Sequence, residues 1–366
     1  MTELKNEIRI STPGRVCLFG EHQDYLHLPV VAAAISLRIS ITGKKRNDRL
    51  IHIDLPNISR IEIIDLDEPI IYAEQRDYFK SALNVLSRKG FTFSGGFNCV
   101  VEGKIPINAG TSSSSALIVT WINFLTRMSD QSVILHPEQL AQYAYEAEVL
   151  EFSEPGGMMD HFTTSFGGII SIDFFPEISV HRIVSPLKSF VLGNSNEQKD
   201  TKIILANVKN RIIEIDAKLK KIDRDFSLFN ADIDGISGYR KYLPEVQFRL
   251  LNGTIENRDI TRTARAELNK TDPDHKKIGE LLNQHQKVLK EILGISTPKI
   301  DGLIEAAINA GAYGAKINGS GGGGCMFAYA PEDPGKVKKT IEAAGGEAFI
   351  IQSDEGSREE IWRESE

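Results

Sequence analysis

The sequence predicts mixed strands and helices in two domains, and three observations carry that expectation. At 366 residues the chain is longer than one hydrophobic core usually serves. Its first half is rich in short runs that alternate apolar and polar residues, the pattern of strands with one covered face. From about residue 201 to about 293, apolar residues recur instead at helical intervals. The texture changes between residues 180 and 195, which divides the chain into 1–185 and 186–366.

Taken in order, residues 7–11 alternate as a strand, and Pro29-Val-Val-Ala-Ala-Ala-Ile35 is small and apolar, hence buried. Residues 37–42, 50–54 and 61–65 alternate again. Helical spacing marks 78–86, a strand 96–104, and a largely buried helix 117–127. A helix over 137–151 has Pro137 near its start, and a glycine turn leads into a strand at 167–174. Strand-like runs at 179–184 and 189–194 precede the helical stretch. A helix over 298–309 ends before Gly311. The tail then reads strand 314–318, glycine run, strand 325–329, helix 335–343, strand 347–352. There is no internal repeat.

Hydrophobic content of 41% and charged content of 25% are those of an ordinary globular protein. The net charge of −7 is spread through mixed acids and bases, with no basic run to suit nucleic acid or an anionic membrane. Cys17, Cys99 and Cys325 are too few and too scattered for a disulfide framework or a zinc site. The polar N-terminus is unlike a signal peptide, and no apolar run approaches the ~20 residues of a membrane span. A cytoplasmic protein is expected.

Chemistry concentrates in a few places. Pro106-Ile-Asn-Ala-Gly-Thr-Ser-Ser-Ser-Ser-Ala116 joins a strand to a helix start, where unpaired N–H groups and a partial positive charge suit phosphate. Its serines add hydroxyls for phosphate oxygens or a hydrated magnesium ion, or else serve simply as helix caps. Gly319-Ser-Gly-Gly-Gly-Gly324 holds more glycine than a tight turn requires, so either a ligand or a main chain approaches closely, or the loop is a flexible hairpin. Asp160 follows Gly156 and Gly157, either projecting into a cleft or merely solvated in a loop. Arg15, Glu21, His22 and Asp24 stand among Val, Leu, Phe and Gly, so they pair with one another or bind a polyhydroxylated ligand.

Together these segments resemble the GHMP kinases, in order and across essentially the whole chain. Thr12-Pro-Gly-Arg-Val-Cys-Leu-Phe-Gly-Glu-His-Gln-Asp-Tyr25 is similar to the sugar signature of galactokinases. The serine loop resembles the family's ATP-phosphate loop, and Gly314-Ala-Lys-Ile-Asn-Gly-Ser-Gly-Gly-Gly-Gly-Cys325 its glycine-rich third motif. Gly156-Gly-Met-Met-Asp-His161 resembles the stretch that holds the galactokinase catalytic aspartate. The resemblance implies two α+β lobes, a ribosomal S5 domain 2-like N-terminal lobe and a ferredoxin-like C-terminal lobe, with the site between them. It implies Asp160 as catalytic base and Arg15 beside it. Glu21, His22, Asp24 and Gly157 would contact the sugar. Gly110, Ser112, Ser113, Ser114, Gly321 and Gly322 would hold or support ATP, with Ser114 and Glu148 on Mg2+.

Three departures stand out. Cys17 replaces the usual asparagine, Leu-His-Leu-Pro follows Tyr25, and Ala206-Asn207 stands where galactokinases carry a sugar-touching tyrosine and an asparagine. The expected reaction is ATP- and Mg2+-dependent phosphorylation of the anomeric hydroxyl of a galactose-like sugar. Other aldoses, uronic acids and deoxy sugars remain open, as do a heptose derivative, mevalonate, or a non-catalytic sensor of sugar and ATP.

Overall fold

The computed structural model describes residues 7–107, 109–197 and 201–361, with the backbone alone for 201–203 and 205. Two long antiparallel strands, β1 (Glu7–Phe19) and β2 (Val30–Lys45), form the spine of an eight-stranded sheet. The hairpin β3 (Leu50–Leu55) and β4 (Arg60–Asp65) forms its far edge. Helix α1 (Tyr78–Arg88) starts at Asp77, whose side chain accepts from Lys80 N, and it buries Phe79, Leu83, Val85 and Leu86. Strand β5 (Phe97–Gly103) runs between β2 and β3, antiparallel to one and parallel to the other.

Helix α2 (Ser113–Met128) is buried nearly all round, as its apolar run requires. Trp121 at its centre meets Phe79 and Phe97 edge-on, stacks on Phe124, and donates its indole N–H to Phe79 O at 3.0 Å. Helix α3 (Pro137–Tyr145) continues directly as a single π-helical turn at Glu146–Leu150. Helix α4 (Met159–Phe166) leads through glycines into β6 (Ile169–Asp173) and β7 (Ser179–Ile183). Strand β6 pairs with the start of β2, Val30 opposite Ile172 and Ala33 opposite Ile169.

Strand β8 (Phe190–Asn194) opens a second sheet. Helices α5 (Thr201–Ile222), α6 (Glu245–Leu268), α7 (His275–Val288) and α8 (Pro298–Asn309) follow, then β9 (Gly314–Ile317) and β10 (Cys325–Tyr329). Helix α9 (Pro334–Ala343) and β11 (Glu347–Ile351) complete an antiparallel sheet of order β11-β8-β10-β9. The expected boundary at 185/186 falls in the link between the sheets. The tail does not stay with the second sheet, however. Strand β12 (Arg358–Glu359) returns to pair with β1, Ile10 opposite Glu359, and Ser353 and Glu355 bridge to Ile35 and Gly167. Two residues are too few to show a period in sequence.

One core lies under the first sheet around Trp121. A larger one joins Val16, Leu18, Phe19 and Leu28 of the first lobe to Leu192, Ile255, Leu282 and Phe327 of the second, so the lobes are fastened by shared apolar surface. Among the described residues no helix is long and apolar enough to cross a membrane. Replacing Trp121 by alanine should cost about 3–5 kcal/mol, a large aromatic truncated in a closed core. Urea denaturation followed by circular dichroism should show the midpoint fall, and an unchanged midpoint would contradict this packing.

Candidate active site

Asp160 lies in the first turn of α4, a helix rather than a free loop, where the helix terminus favours a carboxylate. Arg15 reaches it from the middle of β1 and holds it with two bonds, Nε to Oδ1 at 2.7 Å and Nη2 to Oδ2 at 2.8 Å. The remaining guanidinium nitrogen, Nη1, donates to Gly110 O in the serine loop. Burial would raise the pKa of Asp160, but the charge and hydrogen bonds of Arg15 outweigh it and hold the carboxyl below its ordinary value.

The serine loop ends with Gly110 and Ser112 in left-handed backbone, at φ +82° and +59°. The Ser112 hydroxyl, at the N-cap position, makes no capping bond to α2. Ser112, Ser113, Ser114 and Ser115 all line a cleft of about 380 Å³, together with Arg15, Asp160, Gly110 and Glu148. The other wall carries Glu21, His22, Asp24, Tyr25, Gly156 and Gly157. The structure thus brings the sequence-predicted acids, arginine and serines into one crevice.

Asp24 accepts from Tyr25 N at 2.9 Å and Met159 N at 3.2 Å, yet burial first and the charge of Asp160 second push its pKa up to about 6. Gly157 is glycine for a steric reason: a Cβ there would lie 1.9 Å from Asp24 Oδ2. His22 Nε2 lies 3.1 Å from Ser320 O, so it carries the proton, and in the neutral ring Nδ1 accepts from the Tyr25 hydroxyl at 2.7 Å. Glu21 is paired across the lobes: Lys316 Nζ, wholly buried, sits 2.7 Å from its Oε2 and donates to Cys17 O at 2.8 Å.

The glycine run divides in two. Gly319 and Ser320 line the cleft, and a Cβ on Gly319, at φ +79°, would come 2.7 Å from Gly110 O. Gly321 and Gly322 lie behind them, against Ile295, whose carbonyl accepts from Gly322 N at 2.7 Å. Glu148 sits in the π turn, the helical irregularity that recurs at functional sites. Its Oε2 is 2.7 Å from His161 Nε2. Among the described residues no three His, Cys, Asp or Glu side chains group to hold a metal ion. Cys17, Leu26 to Pro29 and Ala206 do not line the cleft, and Cys17 and Leu28 are in the core.

Three contributors escape a reading of the sequence for chemistry: Lys316, Asn318 and His161. Asn318 accepts from Cys17 N at 2.9 Å and donates to Gly110 O at 2.8 Å, lashing β9 to both β1 and the serine loop. A lysine inside the apolar strand Gly314–Ile317 is the signal that could have found this lash.

Three family models match this chain: the GHMP kinases N terminal domain over residues 77–168, the GHMP kinases C terminal domain over 264–350, and the galactokinase galactose-binding signature over 3–45. The chain belongs to the GHMP kinases. A mevalonate kinase of Thermococcus sibiricus is 28% identical over 95% of this chain and 97% of its own length. Human galactokinase is 26% identical over 96% of this chain and 92% of its own. The crystal structure of Lactococcus lactis galactokinase complexed with galactose superposes with a TM-score of 0.84 at 22% identity, covering 97% of this chain and 95% of that one. The protein is therefore a kinase of this family, with a galactokinase-like signature.

The titration of Asp24 makes a pH prediction. Its carboxylate is ionised above pH 6 and loses its acceptor character below, while Asp160 stays ionised. If Asp24 contacts the phosphoryl acceptor, the acceptor KM should rise about tenfold between pH 7 and pH 5, with the KM of ATP nearly unchanged. Asp24→Asn should flatten that profile. A wild-type acceptor KM independent of pH over this range would remove Asp24 from the acceptor site.

Proposed function

We propose that this chain transfers the γ-phosphoryl group of ATP to the anomeric hydroxyl of a galactose-like monosaccharide, giving the sugar 1-phosphate. The observation that carries the reading is a shared cleft. Arg15, Glu21, His22 and Asp24, all within the matched galactose-binding signature, line the same crevice as Asp160 and the serine loop.

The acceptor hydroxyl would donate to Asp160, which is ionised and fixed in direction by its two bonds from Arg15. A carboxylate of low pKa is a weak base, so it orients the hydroxyl and takes the proton as the oxygen attacks the γ-phosphorus. That suits a loose phosphoryl-transfer transition state, where catalysis is mostly positioning and charge stabilisation. First-turn N–H groups of α2 and the hydroxyls of Ser113, Ser114 and Ser115 would bind phosphate oxygens. Ser114 and Glu148 present hard oxygen donors on one cleft, a set that suits Mg2+, which keeps several waters and phosphate oxygens as its other ligands. Bound there, the ion would offset charge on the β- and γ-phosphates. Glu21, His22 and Asp24 would read the sugar hydroxyls. Cys17, Cys99 and Cys325 are all buried and none forms a disulfide, which accords with a reducing cytoplasm.

A second reading, phosphorylation of mevalonate, is supported by the mevalonate kinase relatives, which match this chain at about the same identity as the galactokinases. Incubation with ATP and a panel of free sugars and mevalonate, followed by phosphorus NMR, separates the two. A sugar 1-phosphate is expected, and phosphomevalonate as the sole product would overturn the sugar reading. Asp160→Asn should lower kcat about a thousandfold while ATP affinity stays close to normal. Near-normal turnover in that variant would exclude Asp160 as the proton acceptor.

A further inference from the structure

Five acids line the cleft; with Glu148 assigned to the metal in the reading above, Glu21, Asp24, Glu154 and Asp160 remain, and their number argues for a neutral acceptor. Their pairing changes that argument. Asp160 is neutralised by Arg15, and Glu21 by the buried Lys316. Asp24 is half protonated at pH 6 and ionised above it, so of these acids it is the one that keeps its charge in the neutral range. Glu154 is paired with Arg76, which also lines the cleft. An anionic acceptor therefore meets the charge of Asp24 rather than the summed charge of all of them.

A further cation stands just behind the acceptor end of the cleft, against two lining residues but not itself among them. Lys209 extends from α5, which packs against the short turn Asp24–Leu26. Its Nζ donates to Pro155 O at 3.2 Å and lies 5.4 Å from the centroid of the Tyr25 ring. Pro155 and Tyr25 are both walls of the cleft. Tyr25 is itself held by His22, so the ammonium rests on a fixed platform. Its partners here are a carbonyl and an aromatic face. Neither neutralises its charge, whereas Arg15 and Lys316 are each committed to a carboxylate. Ala206, one turn earlier on the same helix, ends at Cβ and has no group to compete for this place.

We infer that Lys209 reads a carboxylate on the acceptor, so that the preferred substrate is a hydroxylated acid, with a hexuronic acid of galactose configuration as the sugar that fits. This rests on the cleft being the acceptor site of a small-molecule kinase. The ammonium would exchange its carbonyl partner for a charge-assisted bond to the substrate, and Asp160 would still orient the hydroxyl that attacks. Specificity follows from the difference between an ammonium left on neutral groups and one paired with an anion.

The test is steady-state kinetics of the full chain with ATP and, in separate arms, galactose, galacturonate and mevalonate. Wild type, Lys209→Met and Lys209→Arg are compared, with galacturonate binding measured by calorimetry. The expected result is a higher kcat/KM for galacturonate than for galactose. Lys209→Met should raise the galacturonate KM roughly ten- to a hundredfold with little change in kcat, and Lys209→Arg should restore most of the affinity. If mevalonate alone is phosphorylated and its KM responds to Lys209→Met in the same way, the carboxylate assignment stands and the sugar reading falls. If galactose is preferred and galacturonate gains nothing from Lys209, this inference falls while the sugar kinase reading stands. A uniform rise in KM for all acceptors and for ATP in Lys209→Met would make the lysine a mere strap between α5 and Pro155, and would also overturn it.

Discussion

A guanidinium taken out of water must find acceptors for its fork of donors, and the cleft is built around how Arg15 does so. Its side chain is 5% exposed, and it uses both oxygens of Asp160 and the carbonyl of Gly110. Three elements distant in sequence, β1, α4 and the loop before α2, are thereby fixed around one charge. Leaving such a charge unpaired would cost about 3–5 kcal/mol, which is why the aspartate and the serine loop cannot drift apart independently. The same pair keeps the carboxylate ionised and aimed, so the structural constraint and the chemical one are a single interaction.

The second lobe repeats the device. Lys316 on β9 is wholly buried, and its ammonium meets Glu21 and the Cys17 carbonyl while facing the Phe327 ring at 5.1 Å. Two residues on, Asn318 bonds Cys17 N and Gly110 O. The glycine-rich segment beyond it can then press Gly319 against Gly110, where no side chain would fit. Apolar contact between the lobes supplies the bulk of the adhesion, and these few polar bonds set the register. The charge of the cleft is correspondingly lower than its composition suggests, because Asp160, Glu21 and Glu154 are already paired with Arg15, Lys316 and Arg76.

Most elements are legible in the amino-acid pattern. Strand 325–329 and helix 298–309 coincide with β10 and α8, because periodicity and capping by Thr297 and Gly311 are local properties. The chain is less readable where local rules are broken. The helix expected over 137–151 turns π-helical at Glu146, which nothing in its spacing announces, and that irregular turn carries Glu148. Asp160, read after two glycines, belongs to a short helix that is held by its neighbours rather than by propensity. The tail expected to end with the second domain crosses back to β1, where Arg38 gathers Ser11, Asp354 and Gly356.

What the sequence determined by itself was the kind of element each segment forms and the chemical inventory at its ends: serines at a helix start, glycines between strands, an aspartate behind a double glycine. These depend on neighbours a few residues away, through backbone sterics, helix-end hydrogen bonding and the alternation of apolar groups. Only the tertiary structure decided which charges meet. Arg15 and Asp160 are 145 residues apart, and Lys316 and Glu21 are 295 apart. Their pairing depends on the path of the sheets and on two lobes closing over one core, and no local pattern encodes a partner at that distance. Burial then turned each of those meetings into a fixed, desolvated contact, with Arg15 holding the Asp160 carboxylate ionised and in one direction.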